Sequence, residues 1–196
     1  MTRLLLVRHG QSTWNADGRW QGQADPPLSD LGRLQARHAA ASVGAVAAIY
    51  ASHLERARVT AEIIGEELGI GPVIVDERLS ERDAGEWSGL TRPEIEAEWP
   101  GWIDDGRRPP SWEPNDRLLP RTLAALGRIH DEVGEGDVLV VTHGGLIYTL
   151  EEHLGARHRR IGNLEARWVD VEGEDLRLGS RVELVDHAEI TVPGQI

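Results

Sequence analysis

Two short apolar runs in this chain each end two positions before a histidine that is followed at once by glycine. Residues 4–7 precede His9, and residues 138–141 stand in the same relation to His143. Short continuous apolar runs of this kind predict strands that are buried on both faces of a parallel sheet. Ligands bind beyond the carboxyl ends of such strands, so we expect both imidazoles to reach one crevice. One histidine in this position is more typical of a turn, whereas the matched pair indicates a functional site.

The spacing of apolar residues elsewhere alternates between the patterns of strands and helices. This alternation, with short connections, predicts a three-layer α/β/α sandwich with a mostly parallel central sheet. No repeat or linker divides the chain, so we expect a single domain over residues 1–196. The predicted strands are 3–7, 46–51, 72–75 and 138–141, with one or two edge strands from Arg167 onward. The predicted helices are 31–43 (capped by Ser29 or Asp30), 54–68, 118–133 and 146–154.

Residues 91–116 are predicted to be irregular, because proline and tryptophan are frequent there. Such a segment is typical of a lid or specificity loop. Its adjacent Arg107 and Arg108, together with the tryptophans, suggest an anionic or sugar-like substrate. Alternatively, both arginines are solvated and the tryptophans pack the segment onto the domain. We expect such packing for at least one of the tryptophans, which are Trp99, Trp102 and Trp112.

The composition excludes several classes of chemistry. The chain has no cysteine, which removes disulfides, thiolate metal sites and a cysteine nucleophile. All 21 basic residues are arginine, so Schiff-base and Walker-loop chemistry are excluded as well. A net charge of -12 argues against broad binding to nucleic acid or to an anionic membrane. No apolar run approaches the ~18 residues of a membrane span, and no signal peptide is evident, so we expect a cytoplasmic protein.

A third predicted strand points to the same crevice. It ends before Ser52, and Arg56 falls in the first turn of the helix that follows. A cation at this position opposes the helix dipole, unless a bound phosphate lies between the helix and the guanidinium. Taken alone, Arg56 fits better as a solvated arginine that pairs with Glu55 or Glu62.

Together, these residue types suit the transfer of a phosphoryl group. An arginine next to a histidine lowers the pKa of that histidine and keeps a neutral, nucleophilic nitrogen at neutral pH. Two arginines bind the equatorial oxygens of a phosphoryl group, so no metal ion is required to neutralise it. The leaving alkoxide needs a proton, which Glu81 would supply as a general acid. Glu77, Asp83 and Glu86 are rivals, and spacing alone does not choose between the four carboxylates.

Four separated blocks of the sequence carry a family signature. The first reads Leu-Leu-Val-Arg-His-Gly-Gln-Ser-Thr-Trp-Asn up to Asn15 and continues through residues 21–32. The last reads Thr-His-Gly-Gly up to Gly145, and the two between them are residues 51–61 and 79–89. In this order, the blocks closely resemble the histidine phosphatase superfamily in its phosphoglycerate-mutase-like branch. The resemblance covers most of the first 90 residues and the strand near residue 140, and it implies a phosphoglycerate-mutase-like fold.

The resemblance also implies a role for each matching residue. His9 is the nucleophile that becomes phosphohistidine. Arg8, Arg56 and His143 bind the transferring phosphoryl group. Glu81 protonates the leaving group and then deprotonates the attacking water, a choice over its rivals that rests on the resemblance only.

Further positions in the same blocks are predicted to contact the substrate. Asn15 commonly contacts phosphate or substrate in the family, and Gln21, Gly22 and Gly144 are the other predicted substrate contacts.

The expected partner is a small phosphorylated substrate, with no metal and no other cofactor. We expect a monomer or a homodimer, since edge strands in the tail would support pairing. The remaining histidines lack metal-binding spacing; they are His38, His53, His130, His153, His158 and His187.

Two departures from the family pattern lie around the substrate rather than at the phosphoryl centre. Tyr148 stands where many relatives have arginine. The usual Gly-Glu-Ser block before the fourth helix appears as Trp112, Glu113 and Pro114, so a hydroxyl contact from it is lost.

Three functions are compatible with these residues: a mutase, a phosphomonoesterase and a binding protein without catalytic activity. A mutase must exclude water so that phosphohistidine returns its phosphate to a second substrate, and mutases usually carry a longer closing insertion than residues 91–116. The compact chain therefore favours a metal-independent phosphomonoesterase. A catalytically silent phosphate-binding or partner-binding protein is the third alternative, but a binder has no use for a nucleophile and an acid.

Overall fold

The computed structural model describes residues 1–186, which contain one sheet with helices on both faces. Residues 187–196, including His187 and the end of the predicted 1–196 domain, lie outside the described part. The strands are β1 (Thr2–Arg8), β2 (Ala48–Ala51), β3 (Ile74–Val75), β4 (Gly136–Thr142), β5 (Glu165–Glu172) and β6 (Asp175–Glu183). The helices are α1 (Thr13–Ala16), α2 (Asp30–Val43), α3 (Glu55–Leu68), α4 (Arg92–Glu98), α5 (Asn115–Val133) and α6 (Gly144–His153).

The strands of this sheet lie in the order β3-β2-β4-β1-β5-β6. The pairs β3–β2, β2–β4 and β4–β1 are parallel, whereas β1–β5 and β5–β6 are antiparallel. The sheet is therefore mixed, and its parallel half holds the two strands that end at the histidines. This arrangement agrees with the predicted α/β sandwich.

The side chains of β1 explain why helices cover both faces of the sheet. Leu5 and Val7 pack in a core with α2 and α3, while Leu4 and Leu6 pack in a second core with α5 and α6. Successive side chains of a strand point to opposite faces, and all four are fully buried. A strand covered on both faces is apolar at every position, which is the pattern that the sequence shows.

The ends of α2 and α3 follow local rules. The hydroxyl of Ser29 accepts a hydrogen bond from the backbone N–H of Gly32 at 3.0 Å, which settles the cap of α2 in favour of Ser29. α3 ends at Gly69, whose φ of 67° is in the left-handed region that glycine adopts without strain. No helix within residues 1–186 has the length and apolar character to cross a membrane.

The prediction of edge strands from Arg167 onward is wrong for β5, which pairs with β1 on one side and β6 on the other. Apolar alternation reports which face of a strand is buried and carries no information on its neighbours. β6 lies at the edge of the sheet, as predicted. β3 is shorter than predicted and comprises residues 74–75 only.

The prediction that residues 91–116 are irregular throughout is also wrong, because α4 lies within them. Thr91 and Glu94 form a capping box at its start, and Ile95 is its buried residue. With one buried side chain, the helix has no apolar periodicity to detect. The four-residue helix α1 was not predicted either, because its one buried residue is the polar Asn15 and it has no apolar periodicity.

Candidate active site

A cavity of about 460 Å³ opens where β1 and β4 end side by side. The parallel register of these strands pairs Arg8 with Thr142. The next residues along each strand, His9 and His143, are therefore neighbours, and their ring centroids are 5.1 Å apart. The structure thus brings the two histidines together, but only His9 lines the cavity, whereas His143 is fully buried and does not line it.

His9 lines this cavity and is almost fully buried. Its Nδ1 lies 2.7 Å from the carbonyl oxygen of Gly10. Because a carbonyl oxygen only accepts, Nδ1 carries the proton and Nε2 carries the lone pair, towards which Nε of Arg56 donates at 3.3 Å. Burial lowers the pKa of His9 well below its usual value, and the charges of Arg56 and Arg8 lower it further. His9 is therefore a neutral imidazole whose Nε2 lone pair faces the guanidinium of Arg56.

The backbone around His9 is held by contacts from three distant segments. The His9 N–H donates to the carbonyl of Thr142 at 3.0 Å, and the Gly10 N–H donates to the hydroxyl of Thr60 at 3.1 Å. The side-chain amide of Asn163 donates to the His9 carbonyl at 2.8 Å. A Cβ on Gly10 would lie 2.6 Å from the carbonyl oxygen of Gly32, so only glycine fits there. Sequence reasoning missed Asn163 because its contact spans 154 positions.

His143 occupies the position just before α6 and is fully buried. Neither of its ring nitrogens has a hydrogen-bond partner among the described residues. Burial lowers the pKa of His143 well below its usual value, and the charge of Arg56 acts in the same direction. A buried imidazole without partners normally has an explanation, and here a group bound next to His9 would supply one.

Two buried guanidiniums lie next to this pair of imidazoles. Arg56 donates to the carbonyl oxygens of Ala24 at 2.7 Å and Gly22 at 2.8 Å. Arg8 donates to the carbonyl of Ile161 at 2.6 Å, and its buried Nε has no partner within residues 1–186. Burial lowers the pKa of Arg56 to about 10 and also lowers that of Arg8. Both side chains therefore remain cations at neutral pH.

Glu81 lines the same cavity and is held by two backbone N–H groups. Oε1 accepts from the N–H of Arg82 at 2.7 Å, and Oε2 accepts from the N–H of Gly145 at 3.2 Å. A Cβ on Gly145 would lie only 2.3 Å from Oε1 of Glu81, so this glycine leaves room for the carboxylate. Gly145 thus contributes to the site by binding the Glu81 carboxylate and leaving room for it.

Sequence spacing does not show which of four carboxylates lies at the site, and the cavity lining separates them. Glu81 lines it, whereas Glu77, Asp83 and Glu86 do not. Glu152, which the sequence analysis did not weigh, also lines the cavity and accepts a hydrogen bond at 3.1 Å from an asparagine amide. Glu152 lies on α6, outside the segments of the family signature, so no sequence signal pointed to it.

The four predicted substrate-contacting residues differ in their positions. Gln21 and Gly22 line the cavity, whereas Asn15 and Gly144 are buried and do not line it. The side-chain oxygen of Asn15 accepts from the N–H of Ser12 at 3.2 Å, and its amide nitrogen has no partner in the described part of the chain. Asn15 therefore has an unused donor in the interior near the site.

Arg107 and Arg108, which the sequence analysis treats alike, have different surroundings. The Arg108 guanidinium lies 5.3 Å from the ring centroids of both Trp87 and Trp112, and Arg108 lines the cavity. Burial lowers the pKa of Arg108. Arg107 does not line the cavity, and it pairs with exposed Asp105 at 2.8 Å.

The tryptophans of residues 91–116 pack onto a cluster around Trp87 and Ile95. Trp99 and Trp102 contribute to this cluster without lining the cavity, so the predicted packing role is confirmed. Trp112 packs there and also lines the cavity. The segment is therefore fixed to the domain while it forms part of the wall.

Tyr148 also belongs to the cavity wall, at the position where many relatives have arginine. Its hydroxyl accepts a hydrogen bond from the N–H of Ile161 at 2.7 Å. Burial raises the pKa of Tyr148, so its hydroxyl is neutral. Within residues 1–186, no group of three or more histidine, aspartate or glutamate side chains is arranged to hold a metal ion.

An α/β fold with two buried guanidiniums beside paired imidazoles defines a class of site suited to an anion such as a phosphoryl group, and comparison with known proteins specifies the family. The model of the histidine phosphatase superfamily (branch 1) matches residues 4–178. The chain is 41% identical over 167 residues to a glucosyl-3-phosphoglycerate phosphatase of Mycolicibacterium vanbaalenii, covering 76% of this chain and 72% of that protein. It is 36% identical over 157 residues to a metal-independent phosphoserine phosphatase of Arabidopsis thaliana, covering 75% of this chain and 66% of that protein.

A solved structure gives the same result. A mycobacterial glucosyl-3-phosphoglycerate phosphatase in complex with VO3 has a TM-score of 0.80 and 33% identity, covering 91% of this chain and 97% of that chain. The chain therefore belongs to the histidine phosphatase superfamily. It is a phosphatase of small phosphorylated metabolites, as the sequence predicts.

The buried imidazoles predict a loss of stability in acid. In the unfolded chain His9 and His143 titrate near pH 6.5, whereas in the folded protein their lowered pKa values keep them neutral below that pH. The unfolded state then binds more protons. The free energy of unfolding therefore decreases as the pH is lowered, by up to about 1.4 kcal/mol per pH unit for each histidine. Urea unfolding in phosphate-free buffer, from neutral pH to about pH 5, measures this slope. The double variant His9→Asn/His143→Asn should show a shallower decline, and an equal decline would contradict the prediction.

Two adjacent glycines provide a matched test of how Glu81 is seated. Gly145→Ala forces the flexible Glu81 carboxylate to move, while a Cβ on Gly144 meets its nearest neighbour, a ring carbon of Tyr148, at an ordinary 3.5 Å. We expect Gly145→Ala to lower kcat/KM for an alkyl phosphate by about 10–100-fold, and Gly144→Ala to change it by less than about 3-fold. Both variants should unfold at temperatures close to that of the wild type. Comparable losses in the two variants would show that Glu81 is not the group displaced.

Proposed function

We propose that this chain hydrolyses phosphomonoesters through a phosphohistidine formed on Nε2 of His9, without a metal ion. The observation that carries the proposal is a neutral imidazole whose lone pair lies beside two buried guanidiniums, Arg8 and Arg56. Positive charge at this point attracts the phosphoryl oxygens, while the neutral nitrogen attacks phosphorus.

In the first step, the Nε2 lone pair of His9 forms a bond to phosphorus as the bond from phosphorus to the ester oxygen breaks. Protonated Glu81 donates its proton to this oxygen, so the product leaves as an alcohol. The positive charge that develops on the imidazole is stabilised by the hydrogen bond from Nδ1 to the carbonyl of Gly10.

In the second step, Glu81 takes a proton from a water molecule whose oxygen attacks phosphorus. The nitrogen–phosphorus bond then breaks, its electron pair returns to Nε2 of His9, and inorganic phosphate is released. Glu81 ends the cycle protonated, as it began. A single carboxylate therefore serves both steps, which matches its position in the cavity wall.

Unpaired polar atoms near His9 support binding of a phosphoryl group. They are Nε of Arg8, the ring nitrogens of His143 and the amide nitrogen of Asn15. Each is buried, and oxygens of a phosphoryl group would accept hydrogen bonds from Arg8, from Asn15 and from the one N–H of neutral His143.

Hydrolysis of p-nitrophenyl phosphate in excess EDTA tests the reaction. We expect His9→Ala to lower the rate by about 10³-fold or more, because no other nitrogen replaces Nε2. The exposed His153, replaced by alanine, is the matched control and should keep wild-type activity. Quenched wild-type enzyme should carry phosphate on His9.

Parallel measurement of 3-phosphoglycerate isomerisation separates the alternatives. Isomerisation without hydrolysis would make the chain a mutase. Loss of neither activity in His9→Ala would overturn the mechanism, and absence of both activities in the wild type would favour a binding protein.

We further propose that the substrate carries a second anionic group, which Arg108 binds. Arg108 lines the same cavity as His9, and no carboxylate within residues 1–186 forms an ion pair with it. A half-buried cation without a counter-ion suits an anionic ligand. The substrates named for two relatives, glucosyl-3-phosphoglycerate and phosphoserine, both contain a carboxylate besides the phosphate.

Neighbouring arginines again provide a matched pair of variants. Arg108→Gln should lower kcat/KM for phosphoserine by about 10–100-fold, since a hydrogen bond to a charged group contributes about 1.5–3 kcal/mol. Hydrolysis of p-nitrophenyl phosphate, which has no second anion, should change by less than about 3-fold. Arg107→Gln should leave both substrates unaffected, because Arg107 pairs with Asp105 away from the cavity. Equal losses on both substrates in Arg108→Gln would contradict the second-anion site.

A cytoplasmic location, a single domain over residues 1–196 and a monomeric or homodimeric state stay predictions.

A further inference from the structure

Arg121, on α5, uses all five of its N–H donors. Nε and one hydrogen of Nη2 donate to the two carboxylate oxygens of Glu113, each at 2.9 Å. Nη1 donates to the carbonyl oxygens of Arg78 and Ser80, both at 2.7 Å, and Nη2 also donates to that of Glu81 at 3.0 Å. A guanidinium has five donors, so this side chain is fully saturated.

The three carbonyls that Arg121 binds belong to the segment that carries the proposed acid, Glu81. The same segment is joined to β4 by the Thr142 hydroxyl, which donates to the carbonyl of Leu79 at 2.8 Å. At its other end, the Glu81 carboxylate is held by backbone N–H groups of the neighbouring residue and of α6. The carboxylate and the carbonyl of Glu81 therefore have separate contacts, and Arg121 holds the carbonyl together with the side-chain amide of Gln23, which donates to it at 3.1 Å.

The Glu113–Arg121 pair lies outside the cavity lining, and it is largely buried, with side-chain exposures of 12% and 19%. Burial alone would raise the pKa of Glu113, but the hydrogen bonds and charge of Arg121 outweigh burial and lower it. Glu113 also accepts from the N–H of Asp83 at 3.1 Å. Both charges are thus compensated, so neither is available to bind substrate.

We propose that Arg121, oriented by Glu113, is a positioning residue for Glu81. This inference rests on the proposed function, in which Glu81 is the general acid. Arg121 touches no reacting atom, and its effect on the reaction passes through the backbone of residues 78–81. Proton transfer requires the carboxyl group within hydrogen-bond distance of the leaving oxygen, so a displacement of about 1 Å costs on the order of 100-fold in rate.

The planar shape of the guanidinium is essential to this role. It reaches three carbonyls along one edge while it binds a carboxylate along another. A lysine ammonium keeps the charge, but it has three donors around one point and cannot span these partners. Arg121→Lys is therefore the informative change, because it preserves charge and disturbs geometry.

The test uses two substrates that differ in their need for an acid. Glycerol 2-phosphate releases an alkoxide and requires protonation, whereas p-nitrophenyl phosphate releases a stable phenolate and requires little. Arg121→Lys should lower kcat/KM for glycerol 2-phosphate by about 10–100-fold and that for p-nitrophenyl phosphate by less than about 3-fold. The matched control is Arg128→Lys on the same helix, where an exposed arginine pairs with Glu132 at 2.6 Å, and it should change neither value.

A double-mutant cycle separates positioning from a general structural effect. Glu81→Gln alone should reproduce the substrate-dependent loss in larger form, and Arg121→Lys should add nothing to it in the double variant. Equal losses on both substrates, or losses that add in the double variant, would overturn the inference.

Three further outcomes distinguish failure of the positioning role from failure of the proposed function. If Arg121→Lys does not fold, as judged by thermal unfolding, Glu113→Gln leaves Arg121 in place and should give the same substrate pattern in weaker form; its absence would overturn the inference. Wild-type enzyme without His9-dependent hydrolysis would overturn the proposed function itself. An active wild type with a substrate-independent Arg121→Lys loss would overturn the positioning role alone.

Discussion

Arg8 and Arg56 place two guanidinium charges beside the imidazole of His9 in a region that is almost completely buried. Charge in such a place is costly unless it is compensated, and the chain compensates it with backbone carbonyls rather than with carboxylates in hydrogen-bond contact. Asp25, the carboxylate that pairs with Arg56, lies 3.9 Å away and is half exposed. Carbonyl dipoles satisfy individual N–H groups and leave the net positive charge in place. Burial is the main reason that His9 is neutral, and the remaining charge lowers its pKa further and makes the site receptive to an anion.

The Glu81 carboxyl group is close enough to Arg8 and Arg56 to act on their pKa values, yet within residues 1–186 it forms no hydrogen bond to either side chain. A free carboxylate near Arg56 would swing towards it and occupy the place of the phosphoryl group. Glu81 is prevented from doing so because two backbone N–H groups hold its carboxylate. Gly145 contributes one of these N–H groups and leaves space for the carboxylate by lacking a side chain. Gly145 therefore keeps the Glu81 carboxyl group in place through its N–H and through the space that it leaves.

The sequence predicts those parts of the site that local pattern determines. The neighbouring positions of His9 and His143 follow from two buried strands and a general rule on strand ends. The choice of Glu81 over its rivals came from family resemblance, because four nearby carboxylates look alike until the backbone shows which one faces the cavity. Asn163 and Arg121 escaped prediction because both act on backbone carbonyls of distant segments, and such contacts leave no pattern of residue types.

A net charge of -12 does not prevent the buried arginines of this chain from attracting an anion. Solvent-exposed charges are screened over about 8 Å at physiological salt, so the acidic surface exerts little force at the bottom of the cavity. The guanidiniums of Arg8 and Arg56 are buried, and their attraction for a phosphoryl group is screened much less. Arg108, stacked against two indole rings at the cavity wall, extends this positive region outward. We therefore infer that a few desolvated arginines set the affinity for an anionic substrate, and that the charge of the whole surface has little influence on it.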